Sequence, residues 1–508
     1  MKAQFRTLPD NGELPRALYT AAQVRDFDRR AIADFGLAGA TLMERAGQAA
    51  WDLLRATWPQ ARRIVVLTGT GNNGGDGFVV ARLAADAGCE VAVLQLGDRE
   101  RLRGDALSNA QRWAQMGGSW QAYDGQLPAA DVIVDAMLGT GLERDVTGSW
   151  RQAIAAVNQG GIPCLAIDVP SGLNADSGAI MGDAVRAALT ISFIGLKVGL
   201  FTADGPDCAG TIRFDSLGVP AKVYASNLPT ARLIDWRKQR RGFGRRPRNC
   251  HKGHFGHVLV VGGNGGMGGA ARLAAEAALR VGAGLVSLAT QPQHVAAVLA
   301  ARPEIMVHGI AQPADIEPLL RHATVIAVGP GLGRDDWAQG LWQRALAAQR
   351  PLIVDADALH LLAAAPTTRD DWVLTPHPGE AAALLRVCHA DINVQRLAMT
   401  QQIQRRFGGS VVLKGVGSVI TSAGATAPAI CADGNPGMAS GGMGDVLTGV
   451  IAGLLAQQRD CRDAAESGVC LHAAAADAAA RAGGERGLLA GDLIDGLRRL
   501  VNPECRDD

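Results

Sequence analysis

Three segments of the 508-residue chain gather glycine, amide, hydroxyl and carboxylate groups at the ends of apolar runs. "VVLTGTGNNGGDGFVVAR", Val65 to Arg82, leads from such a run into glycines, two asparagines and an aspartate. Gly69, Gly71 and Gly74 satisfy G-x-G-x-x-G, the pattern of a dinucleotide loop, yet Asn72, Asn73 and Asp76 occupy the place of a pyrophosphate. "VDAMLGTGLERD" (Val134 to Asp145) and "IDVPSGLNADSG" (Ile167 to Gly178) close two further runs. Together they offer carboxamide oxygens from Asn72 and Asn73, carboxylates from Asp135 and Asp168, the Ser171 hydroxyl and free carbonyls. An all-oxygen set suits a hard cation rather than zinc or copper. Asp76 reads equally as the cap of the helical run "FVVARLAADAG" and as a ligand contact.

A different chemistry gathers near the carboxyl end. "GNPGMASGGMGDVLTGVIAGLLA" (Gly434 to Ala456) sets glycines directly before a helical segment, with Asp445 at its start. Backbone N–H groups at such a terminus hold a phosphoryl group as its charge develops. A carboxylate there either caps the helix or accepts a hydroxyl proton; the flanking glycines favour the second. "VVLKGVGSVIT" (Val411 to Thr421) supplies a strand, Lys414 and a glycine turn, a seat for nucleotide phosphates. "VGPGLGRD" (Val328 to Asp335) and "TPHPGEAAALL" (Thr375 to Leu385) end other strands; His377 alone reads as a hydrogen-bonded histidine or a substrate contact. No G-x-x-x-x-G-K-[ST] occurs, which excludes a P-loop NTPase.

The elements that must position these groups alternate strand-like runs with Ala/Leu-rich helical patterns, the signature of parallel sheets covered by helices. Strands are expected at "RIVVLTG", "EVAVLQL", "DVIVDAM", "CLAIDV", "LTISFIG" and "TIRFDSL", then at "HVLVVGG", "LVSLAT", "VIAVGP", "PLIVDAD", "WVLTP" and "SVVLKG". Ligands of such sheets collect at the strands' carboxyl ends. Between the two sets, Asp235 to Gly256 is dense in Arg, Gly and Pro and reads as a solvated connector. The expected fold is α/β in two domains, 1–228 and 229–508: a Rossmann-like three-layer sandwich followed by a second α/β sandwich.

"YTAAQVRDFD", "LMERAG", "GNNGGDG", "DAMLGTGL" and "AIDVPSGLNADSG" resemble the YjeF N-terminal domain, the epimerase of hydrated NAD(P)H. The resemblance implies substrate contacts at Asn72, Asn73, Gly74, Gly75 and Asp76 and along Gly139, Thr140, Gly141, Leu142, Glu143, Arg144 and Asp145. It implies Asp168 at the substrate, and K⁺ on Asn73, Asp135 and Ser171. Inverting the C6 centre requires proton movement near the ring, and Asp168 is the candidate acid/base.

"GGNGGMGGAARLA", "VGPGLG", "DADAL", "TPHPGE", "LKGVGS" and the "GGMGD" turn resemble the YjeF C-terminal domain, the ADP-dependent dehydratase of the ribokinase-like superfamily. On that pattern Ala270, Gly329, Gly331, Gly333, His377 and Asp445 meet the hydrated dinucleotide, with Asp445 catalytic. Lys414, Gly415, Val416, Gly417, Ser418 and Gly444 meet ADP. Glu380 falls where related kinases carry an N-x-x-E carboxylate associated with Mg²⁺, but His377 replaces the Asn. A kinase-like site suits a dehydratase because phosphorylation turns hydroxide into a good leaving group.

Composition fits this pairing. Fifty basic against 49 acidic residues leave a net charge of +1, no field to collect nucleic acid or a membrane surface. Nine cysteines without a C-x-x-C pair, and an amino terminus lacking a leader's apolar core, point to the cytoplasm. A homo-oligomer acting on hydrated NADH or NADPH with ADP is expected. Three rivals stand: a ribokinase-type small-molecule kinase with a regulatory amino-terminal domain, an NAD(P)-dependent dehydrogenase, and a non-enzymatic dinucleotide sensor.

Overall fold

A computed structural model describes residues 14–502; the stretch before them, where a leader was sought, and Cys505 lie outside. The chain divides into two compact units that meet between Arg232 and Leu233. Among the described residues no helix is long and apolar enough to cross a membrane.

The first unit is built on a seven-stranded sheet, in spatial order Trp120–Ala122, Glu90–Gln95, Arg63–Thr68, Val132–Ala136, Cys164–Ile167, Leu189–Phe193 and Thr211–Asp215. Every pairing is parallel. Its central strands are apolar on both faces because helices cover both; Val132 to Ala136 are all buried. Chain order reverses between Arg63–Thr68 and Val132–Ala136, so the loops leaving those strands diverge and open a crevice. Two apolar clusters fill the layers, one around Phe27, Phe78 and Trp113, the other around Leu67, Ile133 and Ile154.

In the second unit the order is Met306–Gly309, Leu285–Thr290, His257–Val261, Val325–Val328, Leu352–Val354, Trp372–Leu374 and Ser410–Leu413, all parallel. Ser418–Ser422 and Ala429–Cys431 continue it antiparallel. The reversal again separates the first strand, His257–Val261, from Val325–Val328. Helix Met443–Ala456 lies against helix Gly268–Arg280 at close range: a Cβ on Gly449 would come 2.0 Å from the Ala274 carbonyl. Only glycine against alanine permits that approach, and it fixes where Asp445 stands.

The arginine-rich lead-in is exposed from 244 to 254, as a solvated connector is, and it is also anchored at both ends. The Arg246 guanidinium stacks 3.6 Å over Phe255 and donates to the Gly282 carbonyl and Gln457 Oε1, both at 2.6 Å. Arg459 stacks 4.0 Å over Phe243. Cation–π pairing and hydrogen bonds dock the segment on the second unit.

Candidate functional site

At the reversal of the first sheet lies a cavity of about 850 Å³, lined by the turns after Thr68 and Ala136, by Asp168, and by the first helix, Ala21–Ala33. Asn72, Asn73, Asp76, Gly139, Thr140, Gly141, Leu142, Arg144, Asp145 and Asp168 line this cavity. Gly74, Gly75 and Glu143 do not. Glu143 is exposed, and the glycines serve packing: a Cβ on Gly74 would meet the Gly69 carbonyl at 2.2 Å, one on Gly75 the Met43 side chain at 2.6 Å. "NNGGDG" is not a loop either. A helix begins at Asn72 with Gly71 as N-cap, so Asp76 stands inside its second turn and caps nothing.

Beneath the cavity three members of the anticipated oxygen set, Asn73, Asp135 and Ser171, converge, while Asp168 turns to Lys197 instead and no hydrogen bond among the described residues joins Asn72 to them. Ser171 Oγ donates to Asp135 Oδ1 at 2.5 Å, Ser171 N–H donates to Oδ2 at 2.8 Å, and Leu138 N–H donates to Ser171 Oγ at 2.8 Å. The Asn73 amide nitrogen donates to the Leu138 carbonyl at 3.1 Å, which leaves Asn73 Oδ1 buried without a partner. Burial pushes Asp135 up to about 6 against the pull of its Ser171 and Met137 bonds. A cation beside this carboxylate would reverse that shift and satisfy the orphaned oxygen. One carboxylate with neutral oxygens suits a weakly bound hard ion; among the described residues no group of three or more His, Cys, Asp or Glu is arranged to hold a metal ion.

Asp168 ends its strand at φ +68°, a left-handed conformation that non-glycine residues rarely hold, and Ile194 opposite stands at +62°. Both are pinned. Asp168 N–H donates to the Ile191 carbonyl at 2.7 Å, and Phe193 N–H donates to Asp168 Oδ1 at 3.2 Å. Lys197, fully buried, donates to Asp168, to the Phe193 carbonyl at 3.0 Å and to Ser192 Oγ at 3.2 Å. Asp28 and Asp76 share the cavity wall. Burial and then the Asp168 charge push Asp28 up to about 6; the same causes, with Asp28 added, push Asp76 well above the carboxylate range. Sequence reading missed Lys197 and Asp28. Asp28 had a signal: it follows Val24 and Phe27 and precedes Ala31 on the buried stripe of its helix, a position apolar residues normally fill.

The second unit assembles its groups around one ammonium. Lys414 Nζ lies 2.6 Å from Asp355 Oδ1 and 3.8 Å from Glu380 Oε2. Thr448 Oγ1 donates to Asp355 Oδ2 at 2.7 Å. A Cβ on Gly444 would come 3.3 Å from Lys414 Nζ, so the absent side chain is what lets the helix terminus approach. Asp445 is pushed up to about 7 by burial and by Asp355, Lys414 opposing. Burial likewise lifts Glu380 to about 7, again against Lys414. Burial lowers Lys414, but Asp355 and Glu380 outweigh it and leave the ammonium raised. Asp445 is the third helical residue after the Gly442 N-cap, so the capping alternative is excluded by geometry.

His377 caps the helix Pro378–Leu385: its Nδ1 accepts from the N–H groups of Gly379 and Glu380, at 3.0 and 3.3 Å, and Glu380 Oε2 accepts from His377 N–H at 2.8 Å. Its side chain is 56% exposed, and its Nε2 lies 3.3 Å from Glu380 Oε1. The turns of Gly262–Met267 and Gly329–Gly333 are laced together, Gly263 N–H to the Pro330 carbonyl at 3.0 Å and Asn264 N–H to that of Gly331 at 2.7 Å. This brings Ala270 beside Gly331, where a Cβ would stand 3.3 Å from Ala270 Cβ. Gly329, at φ +130°, lies against the Asp355 carbonyl, and Gly333 N–H donates to Asp357 at 2.9 Å. The Gly415–Ser418 turn, with Val416 exposed, is propped by buried Arg396, which donates to the Lys414 carbonyl at 3.2 Å. Sequence reading missed Asp355, Thr448 and Arg396; only the "DADAL" strand end hinted at the first.

These units define a two-domain α/β enzyme with separate carboxylate–lysine sites, one at the switch point of the first sheet and one at the carboxyl ends of strands Leu352–Val354 and Ser410–Leu413 in the second. The second unit is similar to a ribokinase-like superfamily protein of Enterococcus faecalis, with TM-score 0.50 and 31% identity over 54% of this chain and 96% of that one. Residues 258–499 match the family described as NAD(P)H-hydrate dehydratase, and residues 39–199 the YjeF-related protein N-terminus. The chain is 47% identical to the bifunctional NAD(P)H-hydrate repair enzyme of Coxiella burnetii over 96% of this chain and 99% of that one. To the Escherichia coli enzyme of the same name it is 43% identical over 97% and 96%. The chain belongs to the family of bifunctional NAD(P)H-hydrate repair enzymes, with an epimerase unit followed by a dehydratase unit.

Proposed function

We propose that the protein restores hydrated NADH and NADPH, exchanging the R and S C6-hydrates in the first unit and dehydrating the S-hydrate with ADP and Mg²⁺ in the second. The observation that carries this reading is nearly full-length kinship to bifunctional repair enzymes, joined to an Asp445 carboxyl held at a glycine-rich helix terminus beside Lys414. Asp445 accepts the proton of the C6 hydroxyl, and that oxygen attacks the terminal phosphorus of ADP, releasing AMP. Phosphate then leaves C6 with its electron pair, the ring nitrogen assisting, and loss of a C5 proton restores the C5–C6 double bond. Lys414 and the amides at the helix start offset the charge gathering on the phosphoryl oxygens.

In the first unit the reading assigns Asp168 to the reacting ring and Asn73, Asp135, Ser171 and the Leu138 carbonyl to K⁺. The orphaned Asn73 Oδ1 supports the ion site. Potassium there would neutralise Asp135 and pin the turn above it; the remaining chemistry belongs to side chains. Balanced charge, and cysteines that are free among the described residues, support a cytoplasmic setting with dinucleotide rather than nucleic-acid or membrane partners, and we expect a homo-oligomer.

The test is the chain given mixed hydrate epimers of NADH, with and without ADP and Mg²⁺, followed by reduced-nicotinamide absorbance and phosphate release. Full recovery that requires ADP is expected, and Asp445→Asn should abolish recovery while R/S exchange continues. A phosphorylated product that persists would favour the kinase reading instead; recovery undiminished in Asp445→Asn would remove Asp445 from the chemistry.

A further inference from the structure

Asp28 is a carboxyl on the wall of the epimerase cavity that the reaction as described leaves unused. Its helix begins at Ala21, ahead of the segment matched to the YjeF N-terminus, 39–199. Two facts set it apart from Asp168. Asp168 is bound by the Lys197 ammonium and by the Phe193 amide, which donates to its Oδ1. The Asp28 carboxyl has no hydrogen-bond or ion-pair partner among the described residues, although Asp168, Asp76 and Lys197 all lie within reach of its charge. One ammonium faces three carboxyls, so the cluster holds protons, and one of them is carried by a group free to meet a ligand.

Resting on the epimerase reading, we propose that Asp28 is the second catalytic residue of C6 inversion, exchanging a proton with the ring nitrogen while Asp168 exchanges one with the C6 hydroxyl. The Asp168 carboxylate takes the hydroxyl proton, and the C–O bond becomes a carbonyl as the C6–N1 bond breaks. The electron pair passes to N1, which takes the Asp28 proton, leaving an open-chain aldehyde. Rotation about C5–C6 presents the other face. N1 returns its proton to Asp28 and attacks the carbonyl carbon, and the oxygen recovers the Asp168 proton. Nothing is gained or lost, and no co-reactant is needed. Asp28 suits the donor role because burial and the Asp168 charge hold it at about 6, near the working range, so it can give a proton and take it back. Asp76 is pushed up as well, by burial and by the Asp168 and Asp28 charges.

The experiment follows R/S exchange chromatographically from a single epimer without ADP, in the full chain, from pH 5 to 9. Asp28→Asn should lower kcat for exchange by about 10²-fold or more with KM little changed. It should also remove the fall in rate above about pH 6 that loss of the Asp28 proton produces in the parent chain. Asp28→Glu should restore both in part. A merely structural Asp28 would lower the melting temperature or raise KM and leave the alkaline limb in place. That result, or loss of the limb in Asp76→Asn instead of Asp28→Asn, overturns the proposal. Failure of the parent chain to exchange epimers at all would overturn the epimerase reading itself.

Discussion

Replacing Lys414 by Gln isolates what one ammonium does among three carboxyls. In the parent chain it lies 2.6 Å from Asp355, which is 1% exposed, and 3.8 Å from Glu380, which is 6% exposed. Breaking a buried pair by removing one partner costs about 3–5 kcal/mol, because the other charge is left behind. Lys414 is 19% exposed and Thr448 still donates to Asp355, so the low end, about 3 kcal/mol, is expected. For a unit of this size that is a fall of roughly 6–12 °C in the midpoint at which dehydratase activity is lost on heating. The pH dependence carries a sign. Glu380 and Asp445, at about 7, release their protons later in the folded chain than in the unfolded one, so stability falls as pH rises from about 4 through 7. Without Lys414, which opposes both shifts, these values climb further, and the deficit should be larger at pH 8 than at pH 5.5. The acid limb of the dehydratase rate should also move up by about one pH unit, since Asp445 must be ionised to act. Melting followed by residual activity at the two pH values, with a pH–rate profile, tests all of this. A deficit under about 2 °C, or one equal at both pH values, would refute the shared-ammonium account.

Gly74→Ala should destabilise the first unit by about 2 kcal/mol despite alanine's better helix propensity, because the new Cβ would sit 2.2 Å from the Gly69 backbone carbonyl; thermal loss of exchange activity measures it. Adding KCl to protein prepared in tetramethylammonium buffer should raise that same midpoint, and Asn73→Ala, which removes the buried unpaired oxygen, should abolish the rise.

The central strands were legible in the sequence because strands buried on both faces read as unbroken apolar runs, as in "VIVDA" and "HVLVV". The edge strands Trp120–Ala122 and Met306–Gly309 were not: three and four residues long and partly exposed, they carry no such run. The helix start at Asn72 was hidden by glycines that local propensity assigns to a loop. Tertiary contact overrides it, since Gly69, Gly74 and Gly77 are held within a side chain's width of the neighbouring backbone or side chains. The ion-site oxygens were readable as residue types at strand ends, but Asn73 Oδ1 as an unpaired atom was not, because its isolation depends on where the Leu138 carbonyl falls. Lys197 was concealed in an apolar strand end, "FIGLKVGL", where nothing local announces its partner 29 positions earlier.

The two units share a device that neither the glycine turns nor the folds require. Basic charge in this chain is carried almost wholly by arginine, with lysine at only positions 2, 197, 222, 238, 252 and 414. Two of those lysines stand among three carboxyls each: Lys197 with Asp168, Asp28 and Asp76, and Lys414 with Asp355, Glu380 and Asp445. An arginine fork would bind one carboxylate at two points and fix its charge; an ammonium is compact and neutralises one carboxylate without occupying the geometry of the others. With one positive charge for three acids, the remaining carboxyls lower their energy by keeping protons, which is why Asp28, Asp445 and Glu380 are driven toward neutrality. A proton stored beside a reacting hydroxyl, or a base poised near 7 to remove one, is what hydrate exchange and hydrate activation respectively need. Lysine against a surplus of acid thus sets the protonation of both sites, and it does so on unrelated elements: the two-residue strand Leu196–Lys197 in one unit and the end of an inner strand in the other.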